Sequence, residues 1–388
     1  MSTATTTVFS ADVLNIDAAS VSASIESQIR DIVLQRLHRK GVVVAISGGI
    51  DSSVVAALCL KALGSARVLG LMLPEADSSP DSLHLAHLLA QSLGIRTHVE
   101  NIAGILTAAG CYQRRDAAIR TVIPQYTAAY KCKIQLPDQL NGSPYPIFSV
   151  VVQSPRGERT KVRLTLDSYL GVIAATNFKQ RTRKMMEYYY ADRFHYAVAG
   201  TPNRLEFDQG FFVKNGDGAA DLKPIAHLYK TQVYQLAAYL GIPEEIQKRS
   251  PTTDTYSLDQ SQEEFYFPLP YARMDLCLYA RNHHLQPEEV APVVGLTAQQ
   301  VARVFRVIDA TRSATRYLHR PPVLCENVPE VLQDVPQDVP GCRHAPPVEP
   351  RHAANCPPSS ATESRASKPR EDFVSSRLKV RVSRTRSV

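Results

Sequence analysis

The chain has 388 residues, 44% of them hydrophobic, enough to bury a substantial core in one large domain or two ordinary ones. It holds no apolar run of about 18 residues that could span a bilayer, and its seven cysteines are odd in number and never spaced Cys-x-x-Cys, which argues against a metal-cluster or disulfide framework. The formal charge of +7 comes largely from the end of the chain, where eight Lys/Arg face three Asp/Glu from Glu363 onward, so a nucleic-acid partner is not expected of the rest.

The first segment, Met1 to Asp17, is rich in Ser, Thr and Ala and lacks the basic-then-apolar order of a secretory leader; a cytoplasmic location is expected. Gly41 to Ile46 is a β-branched run, Ser52 to Leu63 reads as a helix closed by Gly64, and Arg67 to Leu73 is again apolar, which makes a β-α-β unit. The pattern repeats from Ser79-Pro80-Asp81, with Pro at the first helical position, through a helix to Leu93-Gly94 and a strand from Ile95 to Val99. Such alternation predicts an α/β fold with a doubly wound, mostly parallel sheet.

Between about Gly110 and Asp167 the alternation stops. Tyr145 to Gln153 and Thr160 to Asp167 flank the turn-rich Ser154 to Glu158, which predicts a β-hairpin insertion. Helical pattern returns over Tyr169 to Tyr190, a strand over His195 to Ala199, and a helix over Tyr229 to Leu240 that ends at Gly241. Pro287 to Val294 and Thr297 to Ala310 form a helical pair; the second helix lacks the basic density that tracks phosphates, so a packed hairpin is expected there rather than a DNA reader. Residues 321–388 hold 11 of the chain's 26 prolines and few large apolar side chains, and the stretch 329–388 is expected to be a disordered Pro/Arg/Ser-rich tail beyond a catalytic domain of residues 1–328.

The strongest chemical motif is Ser47-Gly48-Gly49-Ile50-Asp51-Ser52, set where an apolar strand turns into a helix. Glycines let the backbone turn sharply and bring N–H groups close to phosphate oxygens, the two serine hydroxyls add donors, and the helix N-terminus favours negative charge. Asp51 would repel phosphate unless a cation intervened, so it is expected to hold Mg2+ on the pyrophosphate. The order Ser-Gly-Gly-x-Asp-Ser is that of loops that split ATP between its α and β phosphates and form acyl-adenylates; it matches neither the kinase phosphate loop nor a dinucleotide fingerprint.

A second polar stretch carries Gly200-Thr201-Pro202-Asn203-Arg204-Leu205-Glu206, then Gly210-Phe211-Phe212-Val213-Lys214-Asn215-Gly216-Asp217-Gly218-Ala219-Ala220-Asp221, then Lys230. In register with the phosphate loop, these blocks resemble the ammonia-dependent NAD synthetase family, within the adenine nucleotide alpha-hydrolase superfamily, over roughly residues 20 to 325 without the insertion. The resemblance implies a Rossmann-like fold with a helical C-terminal part, and an ATP-dependent ligase that amidates deamido-NAD with ammonia, releasing AMP and pyrophosphate. It implies that Ser47, Gly48, Gly49, Ile50, Asp51, Ser52, Thr201, Lys230 and Thr252 contact ATP. Asp51 and Glu206 would bind Mg2+, Arg181, Lys214 and Asp217 would hold the pyridine nucleotide, and Asp51 and Lys230 would carry the chemistry. A homodimer with the substrate site at its two-fold interface follows from the same resemblance, and so does ammonia that is free or supplied by a separate glutaminase, since no glutaminase-type domain is visible.

Charge logic agrees independently: Lys230 can neutralise a departing pyrophosphate, while Asp51 and Glu206 can share the cation that clamps it. The chain departs from the family pattern in three places. The insertion is long and its first half basic and aromatic (Tyr112, Arg114, Arg115, Tyr126, Tyr130, Lys131, Lys133). Arg316 and Tyr317 stand where the family has a His-Lys pair, and Met72 stands where it has an arginine before Leu73-Pro74. These leave two alternatives open, the same ligase chemistry on another carboxylate of polysaccharide or secondary metabolism, and a tRNA-modifying adenylating enzyme.

Overall fold

Asp17 opens the first helix, α1 (Ala18–Arg30), by accepting the N–H groups of Ala19 and Ser20 on its carboxylate. In this computed structural model, which describes residues 9–136, 148–252, 255–326 and 328, the expected alternation follows: β1 (Val42–Ala45), α2 (Ile50–Leu63), β2 (Val68–Met72), α3 (Pro80–Leu93) and β3 (Arg96–Val99). Ser79 caps α3 and Gly94 closes it in the left-handed conformation, as the Ser-Pro-Asp start and the Gly stop require. Two short helices, α4 (Ala103–Ala108) and α5 (Cys111–Arg120), lead into β4 (Lys131–Gln135), β5 (Ser149–Gln153) and β6 (Arg159–Arg163). Then come the long α6 (Leu166–Phe194), β7 (Ala197–Ala199), α7 (Arg204–Gln209) and α8 (Lys230–Tyr239). The short α9 (Glu244–Lys248) and α10 (Gln262–Phe265) precede α11 (Tyr271–Asn282), α12 (Pro287–Val294) and α13 (Ala298–Thr315).

The main sheet has the order β3-β2-β1-β7, parallel throughout. β1, β2 and β7 are covered on both faces, which is why they read as apolar runs, whereas the edge strand β3 is largely exposed. Val42, Val44, Met72, Ala197 and Ala199 pack into one core with side chains of α1, α2, α3 and α8. Val43, Leu69, Leu71 and Val198 point the other way, into a second core with Met186 and Ala191 of α6. This is the doubly wound arrangement expected from the sequence.

The insertion differs from a lone hairpin. β5 and β6 do pair antiparallel across the Ser154–Glu158 turn, but β4 pairs with β5 on the other side to make a three-stranded sheet. Its predicted first strand begins at Tyr145, and residues 137–147 lie outside the described residues. The first half of the insertion, basic and aromatic in sequence, forms α5, packed along α6. α6 also starts earlier than its periodicity suggested, because the Thr165 hydroxyl accepts the Ser168 N–H at 3.1 Å and caps it. In the C-terminal helical part, Val290 and Val294 of α12 and Val301, Val304, Phe305 and Ile308 of α13 are buried with α11 in one cluster, so the helical pair spends its apolar faces on packing. Among the described residues no helix is long and apolar enough to cross a membrane. The predicted tail, residues 329–388, lies outside the described residues.

Candidate active site

The phosphate loop bridges β1 and α2, with Gly49 as the N-terminal cap of α2. Gly48 has φ 77°, and a Cβ there would stand 2.4 Å from the Ser82 carbonyl oxygen, so only glycine fits this turn against α3. The loop is tied from within. Ser47 N–H donates to Ser52 Oγ at 3.3 Å, the two serine hydroxyls lie 3.2 Å apart, and the hydroxyls of Ser52 and Ser53 donate to the Gly49 carbonyl at 3.0 and 2.8 Å. The Ser52 hydroxyl is therefore a brace of the loop, and the backbone N–H groups at the start of α2 remain the donors for an anion.

Asp51, on the first turn of α2, meets two polar partners from distant elements. Lys230 at the start of α8 donates its ammonium to Asp51 Oδ2 in an ion pair, and the Asn203 amide donates to Asp51 Oδ1 at 3.1 Å. The Lys230 side chain is 2% exposed. Burial alone would push its pKa down, but the carboxylates of Asp51 and Glu206 beside it outweigh that and hold it above the ordinary lysine range. Glu206 belongs to a capping box on α7: its backbone N–H donates to Asn203 Oδ1 at 3.1 Å and its carboxylate accepts the Asn203 N–H at 3.2 Å. Asn203 thus fixes Glu206 with its backbone and carbonyl oxygen, and Asp51 with its amide.

Magnesium keeps several waters and is held by one or two carboxylates plus phosphate oxygens of the substrate. Two carboxylates facing one buried ammonium suit that ion, and among the described residues no group of three or more His, Cys, Asp or Glu makes a self-contained metal site.

Asp51, Glu206, Lys230 and most of the loop line one cavity of about 500 Å³ at the carboxyl ends of β1, β2 and β7, where open α/β sheets bind ligands. Ser47, Gly49, Ile50, Asp51, Ser52, Thr201, Glu206, Lys230 and Thr252 border it, and so do Arg181, Lys214 and Asp217; Gly48, packed against Ser82, supports the loop from behind. Arg181 is exposed on α6 and its Nε donates to the Lys214 carbonyl at 3.3 Å. The Lys214 ammonium donates to the carbonyls of Tyr317 and Arg320 at 2.8 and 3.1 Å and lies over the Tyr317 ring. Asp217 accepts the Val213 N–H at 2.7 Å, which closes the Val213–Asp217 turn, and burial raises its carboxyl pKa.

Several residues of this site received no role from the sequence. Asn203 was legible as the first member of an Asn-x-x-Glu capping signal, but its second contact, to Asp51, crosses 152 residues of chain. Arg183 lines the cavity from α6 and its Nε donates to the Leu73 carbonyl at 3.4 Å, so an arginine does reach the stretch where Met72 stands, delivered from another element. Tyr317, singled out as a departure, borders the cavity and secures Lys214 through its carbonyl and ring. The buried thiols of Cys59 and Cys277 are both pushed up to about 12 by desolvation, so neither is a nucleophile at neutral pH.

Comparison with known proteins gives a consistent picture. A family model described as NAD synthase matches residues 21–125 and 159–317, so the stretch it leaves out, 126–158, falls within the predicted insertion. The NH(3)-dependent NAD(+) synthetase of Rhizobium meliloti (strain 1021) is 56% identical over 324 residues, 84% of this chain and 97% of that protein. Two solved structures share the fold. The NMN synthetase of Francisella tularensis has a TM-score of 0.55 at 20% identity, covering 80% of this chain and 99% of that one. The NH3-dependent NAD synthetase of Campylobacter jejuni has a TM-score of 0.53 at 22% identity, covering 80% and 100%.

Proposed function

This chain belongs to the NAD synthase family, and from that premise we propose how its cavity makes the amide of NAD from deamido-NAD, ammonia and ATP. A carboxylate oxygen of deamido-NAD attacks the α-phosphorus of ATP and pyrophosphate leaves. Ammonia then adds to the acyl-adenylate carbonyl and AMP departs with the electron pair of the broken C–O bond. No covalent bond to the enzyme is needed, so catalysis comes from positioning and charge stabilisation.

The observation that carries the site assignment is the Lys230 ammonium, buried between Asp51 and Glu206 at the mouth of the glycine loop. Pyrophosphate lies against the loop backbone and the start of α2, and Lys230 neutralises the charge that builds as it leaves. Asp51 and Glu206 would hold Mg2+, which would supply further charge neutralisation on the phosphate oxygens. Thr201 and Thr252 border the ATP side, while Arg181, Lys214 and Asp217 take the pyridine nucleotide, with Tyr317 and Arg320 fixing Lys214 through their carbonyls. Neither a ligase for another carboxylate nor a tRNA-modifying enzyme is favoured by a relative so similar along almost its whole length.

The catalytic domain is residues 1–328, with the insertion inside it and residues 329–388 outside the chemistry. It works in the cytoplasm as a homodimer, on ammonia that is free or delivered by a separate glutaminase. Support for a dimer comes from α6, where Leu166, Leu170, Met185 and Tyr189 are large and half exposed or more, on the helix that also presents Arg181. The deciding assay is AMP and pyrophosphate release with Mg-ATP and ammonium, with and without deamido-NAD. Release that needs deamido-NAD and disappears in Asp51→Ala is expected; release from Asp51→Ala at the wild-type rate would refute the site.

A further inference from the structure

The same cavity is bordered by a buried lysine–glutamate pair that the site described above does not use. Lys184 and Glu187, one turn apart on α6, are 6% and 5% exposed and both border the cavity, with the ammonium donating to Glu187 Oε2 at 2.6 Å. Pairs at this spacing usually lie on solvated helix faces, where water completes their hydrogen bonds. Here water is largely excluded. An ammonium carries three N–H donors, and among the described residues Glu187 is the single hydrogen-bond acceptor of Lys184. A buried charge left with open donors is costly unless something else completes its shell. Nothing in the adenylation scheme above requires a charge there, and the neighbouring positions on the same helix are Met185 and Met186.

The surroundings indicate what completes the shell. The pair follows Arg181 and Arg183 on α6, and all four side chains border the cavity together with Asp217, one of the residues assigned above to the pyridine nucleotide. Lys184 interacts electrostatically with Asp217, linking α6 to the Val213–Asp217 turn. Glu187 keeps the ammonium in place and partly neutralised, so the cavity wall offers directed donors more than a bare charge.

We propose that Lys184, held by Glu187, is a substrate-binding residue that donates to an anionic oxygen of deamido-NAD. This rests on the functional reading given above, and it adds a cation for the pyridine nucleotide beyond Arg181 and Lys214. The oxygen belongs either to the ring carboxylate or to the pyrophosphate, and the two give different results with the product. Loss of a carboxylate contact spares NAD, whose carboxylate has become an amide; loss of a pyrophosphate contact weakens both nucleotides.

The test is equilibrium binding of deamido-NAD and of NAD to the full chain by calorimetry, with steady-state AMP release as a function of each substrate. One variant replaces the whole pair, Lys184→Met with Glu187→Leu, so that no lone charge stays buried. A second, Lys184→Gln, keeps a hydrogen bond to Glu187 and covers the case that the first does not fold. Either is expected to weaken deamido-NAD binding about ten-fold or more, to raise its KM in parallel, and to leave the KM for Mg-ATP within about two-fold; Lys184→Arg recovers part of the loss. Unchanged deamido-NAD affinity in a folded variant overturns the proposal, as does an equal rise of both KM values with a falling melting temperature, the mark of a structural pair. Wild-type protein that fails to bind or amidate deamido-NAD would instead overturn the functional reading, and this inference with it.

Discussion

Lys230 shows how one side chain can be placed by three separate stretches of chain. Its position at the start of α8 aims it at Asp51 on α2, Asn203 orients Asp51, and Glu206 adds the second carboxylate. Replacing it by methionine removes the cation where pyrophosphate charge builds, so Lys230→Met is expected to lower kcat by about 10²–10³ in the AMP-release assay, with a smaller change in the KM for deamido-NAD. Behind it, Asp275 on α11 accepts the N–H and hydroxyl of Thr231 at 2.7 and 2.8 Å, which secures the first turn of α8. Burial outweighs these two hydrogen bonds and a third from the Lys230 N–H, and pushes the carboxyl up to about 6. A folded-state pKa above the unfolded value of 3.8 means the native state holds the proton longer. Stability from this group therefore falls as pH rises from about 4 through about 6, by about 3 kcal/mol, and is flat above. The difference in unfolding free energy between Asp275→Asn and wild type should follow that curve, shifting in favour of the variant as pH is raised from 4 to 7; a pH-independent difference would contradict it.

Among the elements, the phosphate loop is the least tolerant. Gly48→Ala combines left-handed strain with a clash into the Ser82 carbonyl, so a loss of about 1–3 kcal/mol in stability is expected, together with a raised KM for ATP. A second joint holds the walls of the cavity together. Lys179, 1% exposed on α6, donates to Glu75 at 2.9 Å, to Asp77 at 2.6 Å and to the Thr255 carbonyl at 2.6 Å. Arg115 from α5 reaches the same Asp77, and the Tyr112 hydroxyl donates to the other oxygen of Glu75 at 2.8 Å. The insertion thus packs onto the stretch after β2 that borders the cavity. Lys179→Met leaves two buried carboxylates short of a partner, and a loss of about 3–5 kcal/mol in urea unfolding is expected. The basic and aromatic character of this first half is partly spent inside: Arg115 and Tyr126 are buried.

For the molecule as a whole, the substrate side of the cavity opens beside the exposed apolar positions of α6. Arg181 lies on this helix between Leu170 and Met185, so a partner seated there would, under the role proposed for Arg181, cover the nucleotide. Replacing Met185 and Tyr189 together by glutamate should convert a dimer into a monomer in light scattering and raise the KM for deamido-NAD about ten-fold or more, while melting changes little. A wild-type protein that is monomeric at working concentration would refute the dimer.

The sequence by itself determined the doubly wound sheet, the phosphate loop at its switch from strand to helix, and the polar blocks that border one cavity. Apolar period, glycine turns and helix caps are short-range properties, set by sterics and hydrogen bonding within a few residues. It could not determine that β4 pairs with β5 to add a third strand to the insertion, or that Arg115 and Lys179 are buried. The Asn203–Asp51 contact, the arrival of Arg183 near Leu73 and the Lys184–Glu187 pair in the cavity wall were decided only by tertiary packing. A side chain's charge is written in the chain, but whether water or protein answers that charge depends on which distant elements close over it.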